Sequence, residues 1–259
     1  MSRLGAALFF VALALIGPSA AQTADEAGAI ARAERVGRDL YEHDRAAWLA
    51  TDAAMAELSP ADRAPVRGWV TERDGEAVVV TFVAADGEGD AERLRAAYRA
   101  VFRGGALTER GAVHAALTER QTQLYNARQA VVTAPPAICA SPYNAAVLPR
   151  ADEDVVDIYL MPATTRSDVL RVGGFVRVGF NLASGAVTEV ESFSRSCLEF
   201  PLTPQAAGLF FTHLTSATPT ETHVFLNLST GVPLFVSIDR QIWQIENGRI
   251  SLMAEGSPT

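Results

Sequence analysis

Four side chains toward the C-terminus have the types and spacing that proton transfer or metal binding requires: His213, Glu221, His223 and Asp239. Three of them fall in "TETHVFLNLSTGVPLFVSIDR", Thr220–Arg240, where apolar and polar residues alternate on both sides of Ser229-Thr230-Gly231. Such alternation predicts two strands, and a three-residue loop ending in glycine is a common hairpin turn. In that register Val224, Leu226 and Leu228 face Val236, Leu234 and Val232. On the other side Phe225 meets Phe235, His223 meets Ser237 and Glu221 meets Asp239. Carboxylates placed directly opposite destabilise a strand pair unless a cation lies between them. Three arrangements satisfy this pattern. The first is a solvated strand end, and the second is an arginine, Arg240 or another, clamping the acids. The third is a small site in which Glu221, His223 and Asp239, joined by His213, bind a metal or act as an acid/base set. No metalloprotease helix motif, nucleophile elbow, phosphate loop or dinucleotide glycine pattern accompanies them, and no cofactor is identified.

Other residues offer less. Ser194 and Ser196 flank Arg195 beside Cys197 without a partnered base. Gly173-Gly174 lacks a phosphate-loop pattern and reads as a bulge or close backbone approach. His43 and His114 read as surface histidines on helices. Asp152, Glu153 and Asp154 match no calcium loop.

The elements that position these residues divide into two kinds, giving an α+β fold. Residues 22–133 read as a helical part with one hairpin. Ile30, Ala33, Gly37, Leu40, Tyr41, Trp48 and Met55 make one apolar stripe, and Ser59-Pro60 starts a short helix. Asp74-Gly75 marks a hairpin. "DAERLRAAYRAVFRGG" reads as a helix capped by Asp90 and stopped at Gly104-Gly105, and Leu107–Val132 as another. Residues 134–153 read as a Pro-rich crossover. Residues 154–259 read as a largely antiparallel sheet of consecutive hairpins that opens with the strand "VVDIYLMPA". A turn at Ala183-Ser184-Gly185 pairs Arg177 with Glu191 and Val178 with Val190. A turn at Asn247-Gly248 pairs Glu246 with Arg249, Ile245 with Ile250 and Trp243 with Leu252.

The chain opens with a basic tip, a short apolar run and small residues ending at Ala21, the pattern of a secretory signal peptide over residues 1–21. A soluble periplasmic or secreted protein is expected, with no stable membrane insertion after cleavage. Cys139 and Cys197 then read as a disulfide. The net charge of −8 argues against nucleic acid as a partner. Every fixed cation is arginine, because the chain holds no lysine.

The segments "SPYNAAVLP", "VGGFVRVGF", "SFSRSCLEF" and "THLTSATPTETHVF" resemble those of a group of exported, signal-peptide-bearing proteobacterial proteins with no assigned activity. The likeness spans about the last 120 residues and implies export and a shared β fold. In that group a His is expected after the Gly-Gly pair, where this chain has Phe175. The lack of any assembled catalytic motif leads to a non-enzymatic periplasmic or secreted binding or envelope-accessory protein, its partner an unknown small molecule or envelope component. The alternative is a hydrolase or metal-dependent enzyme built on the 221–239 segment.

Overall fold

The longest element is a helix whose buried side is made largely of alanine. The computed structural model describes residues 23–87, 93–136, 139, 142–150, 154–163, 166, 168–202 and 207–253. The signal segment, Asp90, Asp152 and Glu153 lie outside them. Helix α1 (Ala24–Glu57) starts at Thr23, whose hydroxyl accepts from the Glu26 N–H while the Glu26 carboxylate accepts from the Thr23 N–H. This reciprocal cap satisfies two otherwise free donors. The first half of α1 buries Ile30, Ala33, Val36, Gly37 and Leu40, and the second half buries Ala46, Ala50, Ala53 and Ala54. Trp48 and Met55, expected on the apolar stripe, are instead exposed, and the Arg45 guanidinium lies 4.4 Å over the Trp48 ring. The alanines win the inward face because they let the helix approach the sheet below.

That sheet contains β1 (Val66–Asp74), β2 (Ala77–Asp86), β3 (Arg93–Arg103) and β4 (Ala106–Ala116), antiparallel in chain order. The short helix α2 (Pro60–Arg63), capped by the Ser59 hydroxyl, leads into it. The expected hairpin forms with Asp74 paired to Ala77, so the turn is Gly75-Glu76, one residue later than the Asp-Gly signal. Two predicted helices are corrected here. "RLRAAYRAVFR" is β3, Gly104-Gly105 is the turn into β4, and only Glu119–Val132 (α3) is helical beyond it. Tertiary packing overrides helix propensity: Tyr98 and Phe102 from β3 meet Val78, Val80 and Phe82 from β2 beneath the α1 alanines.

The second sheet joins β5 (Tyr143–Pro149), β6 (Val155–Pro162), β8 (Val176–Asn181) and β9 (Ala186–Ser192), again antiparallel, with α3 against one face. Strand β5 lies inside the stretch read as a crossover. Arg177–Glu191 and Val178–Val190 pair as the sequence predicts, although the turn is longer and a bulge after Gly179 absorbs the difference. Short strands β7 (Val169–Arg171) and β10 (Glu199–Pro201) form a two-stranded ribbon. Cys139 and Cys197 are bridged, their Cα atoms 5.7 Å apart. Gly174, at φ +92°, leaves the space that the Cys139 sulfur fills, so the Gly-Gly pair serves close packing.

The third sheet overturns the central hairpin. Glu221–Thr230 is helix α4, and Gly231, in the left-handed conformation, is its C-cap. The helix connects β11 (Leu209–Thr212) to a parallel neighbour, β12 (Leu234–Ile238), and parallel neighbours need such a crossover. Strands β13 (Gln241–Glu246) and β14 (Arg249–Leu252) follow, with all three predicted pairs across Asn247-Gly248 present. Apolar residues of α1, α4 and the second and third sheets share one core. No described helix is long and apolar enough to cross a membrane.

Candidate functional site

Helical geometry separates the acids that a hairpin would have brought together. Glu221 and His223 lie two positions apart in the first turn of α4, a spacing that does not share a face. Asp239 stands in the tight turn between β12 and β13, at φ +52°, and is exposed. No group of three or more His, Cys, Asp or Glu able to hold a metal ion occurs among the described residues.

The structure does bring His213 and His223 together, with ring centroids 4.6 Å apart and planes nearly perpendicular. Both are buried, and each has a structural task. The Thr220 N–H donates to His223 Nδ1 at 2.9 Å, so His223 takes the place Glu or Gln holds in the reciprocal cap of a helix N-terminus. A backbone N–H only donates, so Nδ1 is an acceptor and the imidazole is neutral with its proton on Nε2. Burial, then the neighbouring His213, holds His223 well below the ordinary histidine range. His213 Nε2 lies 2.8 Å from Ser216 Oγ and 3.2 Å from Thr215 Oγ1. Those hydroxyls give their own protons to the carbonyls of Thr218 and Phe193, which leaves His213 Nε2 as the donor. The Ser216–His213 hydrogen bond therefore has its proton on the imidazole, with the Ser216 hydroxyl as acceptor. Burial lowers His213 as well. The two histidines staple the loop that starts α4.

The remaining histidines also depart from expectation. His43 is buried, not on the surface, and its Nδ1 is hydrogen-bonded to Thr71 Oγ1 at 2.7 Å. Burial, reinforced by Arg73, drives its pKa down to about 3. His114 is exposed, but on strand β4.

Glu221 leads to the more open chemistry. Its buried carboxylate accepts from Tyr159 Oη at 2.8 Å and from the Arg32 guanidinium at 3.3 Å. The arginine clamp thus exists, supplied by α1 and holding one acid rather than two. Glu221 is where it is because Gly37 lets the helices touch: a Cβ on Gly37 would come 2.7 Å from the Glu221 carbonyl oxygen and 2.5 Å from Val224 Cβ.

Beside this contact a groove of about 980 Å³ opens between α1 and one face of the second sheet. Strand pairing sets its floor. One row across the sheet reads Tyr159, Arg177, Glu191, and the next reads Leu148, Asp157, Gly179, Glu189. Arg177 binds Glu189 at 3.1 Å and Glu191 at 2.6 Å. Arg150 binds Asp157 at 2.7 Å and Glu189 at 2.9 Å. Gly179 makes room for it, since a Cβ there would sit 3.0 Å from an Arg150 terminal nitrogen. Hydrogen bonding from Arg150, then the charge of Arg177, holds Glu189 below its ordinary range. Burial raises Glu191, and Glu221 and Glu189 add to the rise against the pull of Arg177. Burial, followed by the Glu221 charge, raises Tyr159. The Arg177 side chain is only 10% exposed, and its Nε meets no hydrogen-bond partner. Further along the same strands Met161, Phe175 and Phe193 return to the apolar core, Phe175 edge-on to Phe225.

The groove is not legible along the sequence because its members come from α1, β5 and the residue after it, β6, β8 and β9. One signal was present: the predicted Arg177–Glu191 pair was a charged step in a strand otherwise rich in apolar residues. No protein-family model, curated protein or solved structure matches this chain.

Proposed function

We propose that this is an exported, non-enzymatic binding protein of the periplasm or cell exterior, and that the groove between α1 and the second sheet holds a polar small molecule or envelope component. The observation that carries this reading is the charge network on the groove floor. Ion pairs that keep solvent access add little to stability, and the same sheet face is apolar beyond the groove. Charge concentrated where the face opens, on the solvent-accessible Arg150, Glu189 and Glu191, suits recognition better than folding. The basic-apolar-small N-terminal pattern and the Cys139–Cys197 bridge support the export half of the reading. His213 and His223, committed to the loop and the cap that start α4, favour a binding role over acid/base turnover.

Thermal unfolding against a library of sugars, organic acids, amines and amino-acid derivatives tests it. A true ligand raises the midpoint by mass action. Pro149→Trp, which sets an indole at an exposed rim position of the groove, is expected to remove that shift while leaving the unliganded midpoint nearly unchanged. A library that shifts nothing, or a shift that survives in Pro149→Trp, overturns the proposal.

A further inference from the structure

Further along α1 than the groove, a second cavity of about 460 Å³ is lined by Tyr41, Asp44, Arg45 and Trp48, with Ser229 from the last turn of α4. Steps of three, four and seven residues put the four α1 side chains on one helix face. Asp44 sets this cavity apart. The other half-buried acids of α1 all have partners: Glu26 closes the helix cap, Glu34 holds Ile250 and Arg249, and Asp39 and Glu42 share Arg73. The Asp44 side chain, also half-buried, makes no hydrogen bond or ion pair with any described residue. Nor do the Tyr41 and Ser229 hydroxyls. Burial raises the Asp44 carboxyl to about 6, with no neighbouring cation opposing the rise. The Arg45 guanidinium lies instead over the Trp48 ring, at 4.4 Å, and Trp48 remains 53% exposed beside it. A carboxylate partly withdrawn from water without a countercharge is costly, and a cation bound to it removes that cost.

We infer that this cavity binds a small organic amine, its primary ammonium on Asp44 and its apolar body against Trp48. An ammonium brings three N–H donors and no acceptor, and the cavity offers unpartnered oxygens on Asp44, Tyr41 and Ser229 to receive them. The end of α4 beside Ser229 adds the partial negative charge of a helix C-terminus. An anion seated on Arg45 would instead share the cavity with the Asp44 carboxylate, and like charges at short range repel. The volume of about 460 Å³ lies within the range of small-molecule sites. Cavity and groove share no lining residue, so amine binding here goes beyond the groove reading and stands or falls separately from it.

Titration calorimetry on the full chain at neutral pH tests this with phenethylamine, the neutral phenethyl alcohol and the anionic hydrocinnamate. The expected result is binding of the amine, with the alcohol and the anion weaker by about tenfold or more, as the loss of one charge-assisted contact implies. Asp44→Asn is expected to bring the amine down to the level of the alcohol. Its unfolding midpoint should hold or rise, because an unpaired charge has been removed. Trp48→Ala, at an exposed position, is expected to weaken amine and alcohol alike. Absence of amine binding overturns the inference. So does an alcohol that binds as tightly as the amine, an amine affinity that Asp44→Asn leaves unchanged, or tighter binding of hydrocinnamate, which would make Arg45 the anchor. Repeated on the Asp44→Asn chain, the library screen for the groove reports the groove alone.

Discussion

His43 has the sharpest consequence among single residues. It is buried on α1 against Thr71, and its folded pKa lies near 3 against an unfolded value near 6.5. Above pH 6.5 both states are neutral and the group adds nothing to the pH dependence. Below it the unfolded chain takes up a proton that the folded chain refuses, so stability falls until the pH reaches about 3. By pH 5 the loss from His43 alone is about 2 kcal/mol. His213 and His223 act in the same direction. Asp44, raised by burial to about 6, acts in the opposite one. Comparing His43→Asn with the parent chain cancels these common contributions. Urea unfolding at pH 7 and pH 5 is expected to show the parent losing about 2 kcal/mol relative to the variant, and an unchanged gap would remove the claim. At this scale the sequence was half legible. The sequence points to His213, Glu221, His223 and Asp239 as one metal or acid/base set. The two histidines do meet, while Glu221 turns to Tyr159 and Arg32 and Asp239 stands apart in an exposed turn. Their purpose was hidden because it depends on Tyr159, Arg32 and the 213–220 loop, partners that spacing along one segment does not reveal.

Among the elements, α4 explains why periodicity failed where it looked clearest. Residues Glu221 to Asn227 are all buried, so the helix has no wet face to print a 3.6-residue rhythm on the sequence. Its polar members are fixed by individual ties: Glu221 to Tyr159, His223 to the Thr220 N–H, and Asn227 to the Val232 carbonyl and the Gly248 N–H. What read as strand alternation was a list of such ties. Strand β3 erred in the other direction, its Ala, Leu and Arg content favouring a helix while two neighbouring strands and the α1 alanines claimed it. The hairpins at 176–192 and 241–252 were readable because each has one consistent apolar face. The contact between α1 and α4 is the element-level feature most open to test. A methyl group at Gly37 has no room against Val224 and the Glu221 carbonyl, and overpacking of this kind costs about 1–3 kcal/mol. Gly37→Ala is expected to lose that much in chemical unfolding. Gly28→Ala, on the same helix with open space around it, should be neutral or slightly stabilising. Equal effects at the two positions would argue against a tight crossing.

For the molecule as a whole, composition and cysteine count were the most legible features, since charge, absence of lysine and an even cysteine pair need no register. The bridge they implied is present, and it closes a span of 58 residues. In the chain-entropy view it stabilises the fold by about 4 kcal/mol. Unfolding in urea with and without a thiol reductant is expected to differ by roughly that amount, with a Cys139→Ala/Cys197→Ala chain matching the reduced form. Coincident curves would show the bridge to be dispensable.

The placement of Glu34 carries this further. On α1 it accepts hydrogen bonds from the Ile250 N–H and from Arg249 on β14, while Arg38, one turn on, donates to the Asn247 and Gly248 carbonyls. The N-terminal half of α1, the first described helix, therefore waits for α4 and for β14, the last described strand, before its inward side is covered. Until then Ile30, Val36 and Leu40 stay wet, and a nascent or C-terminally clipped chain presents a greasy handle of the sort that chaperones hold.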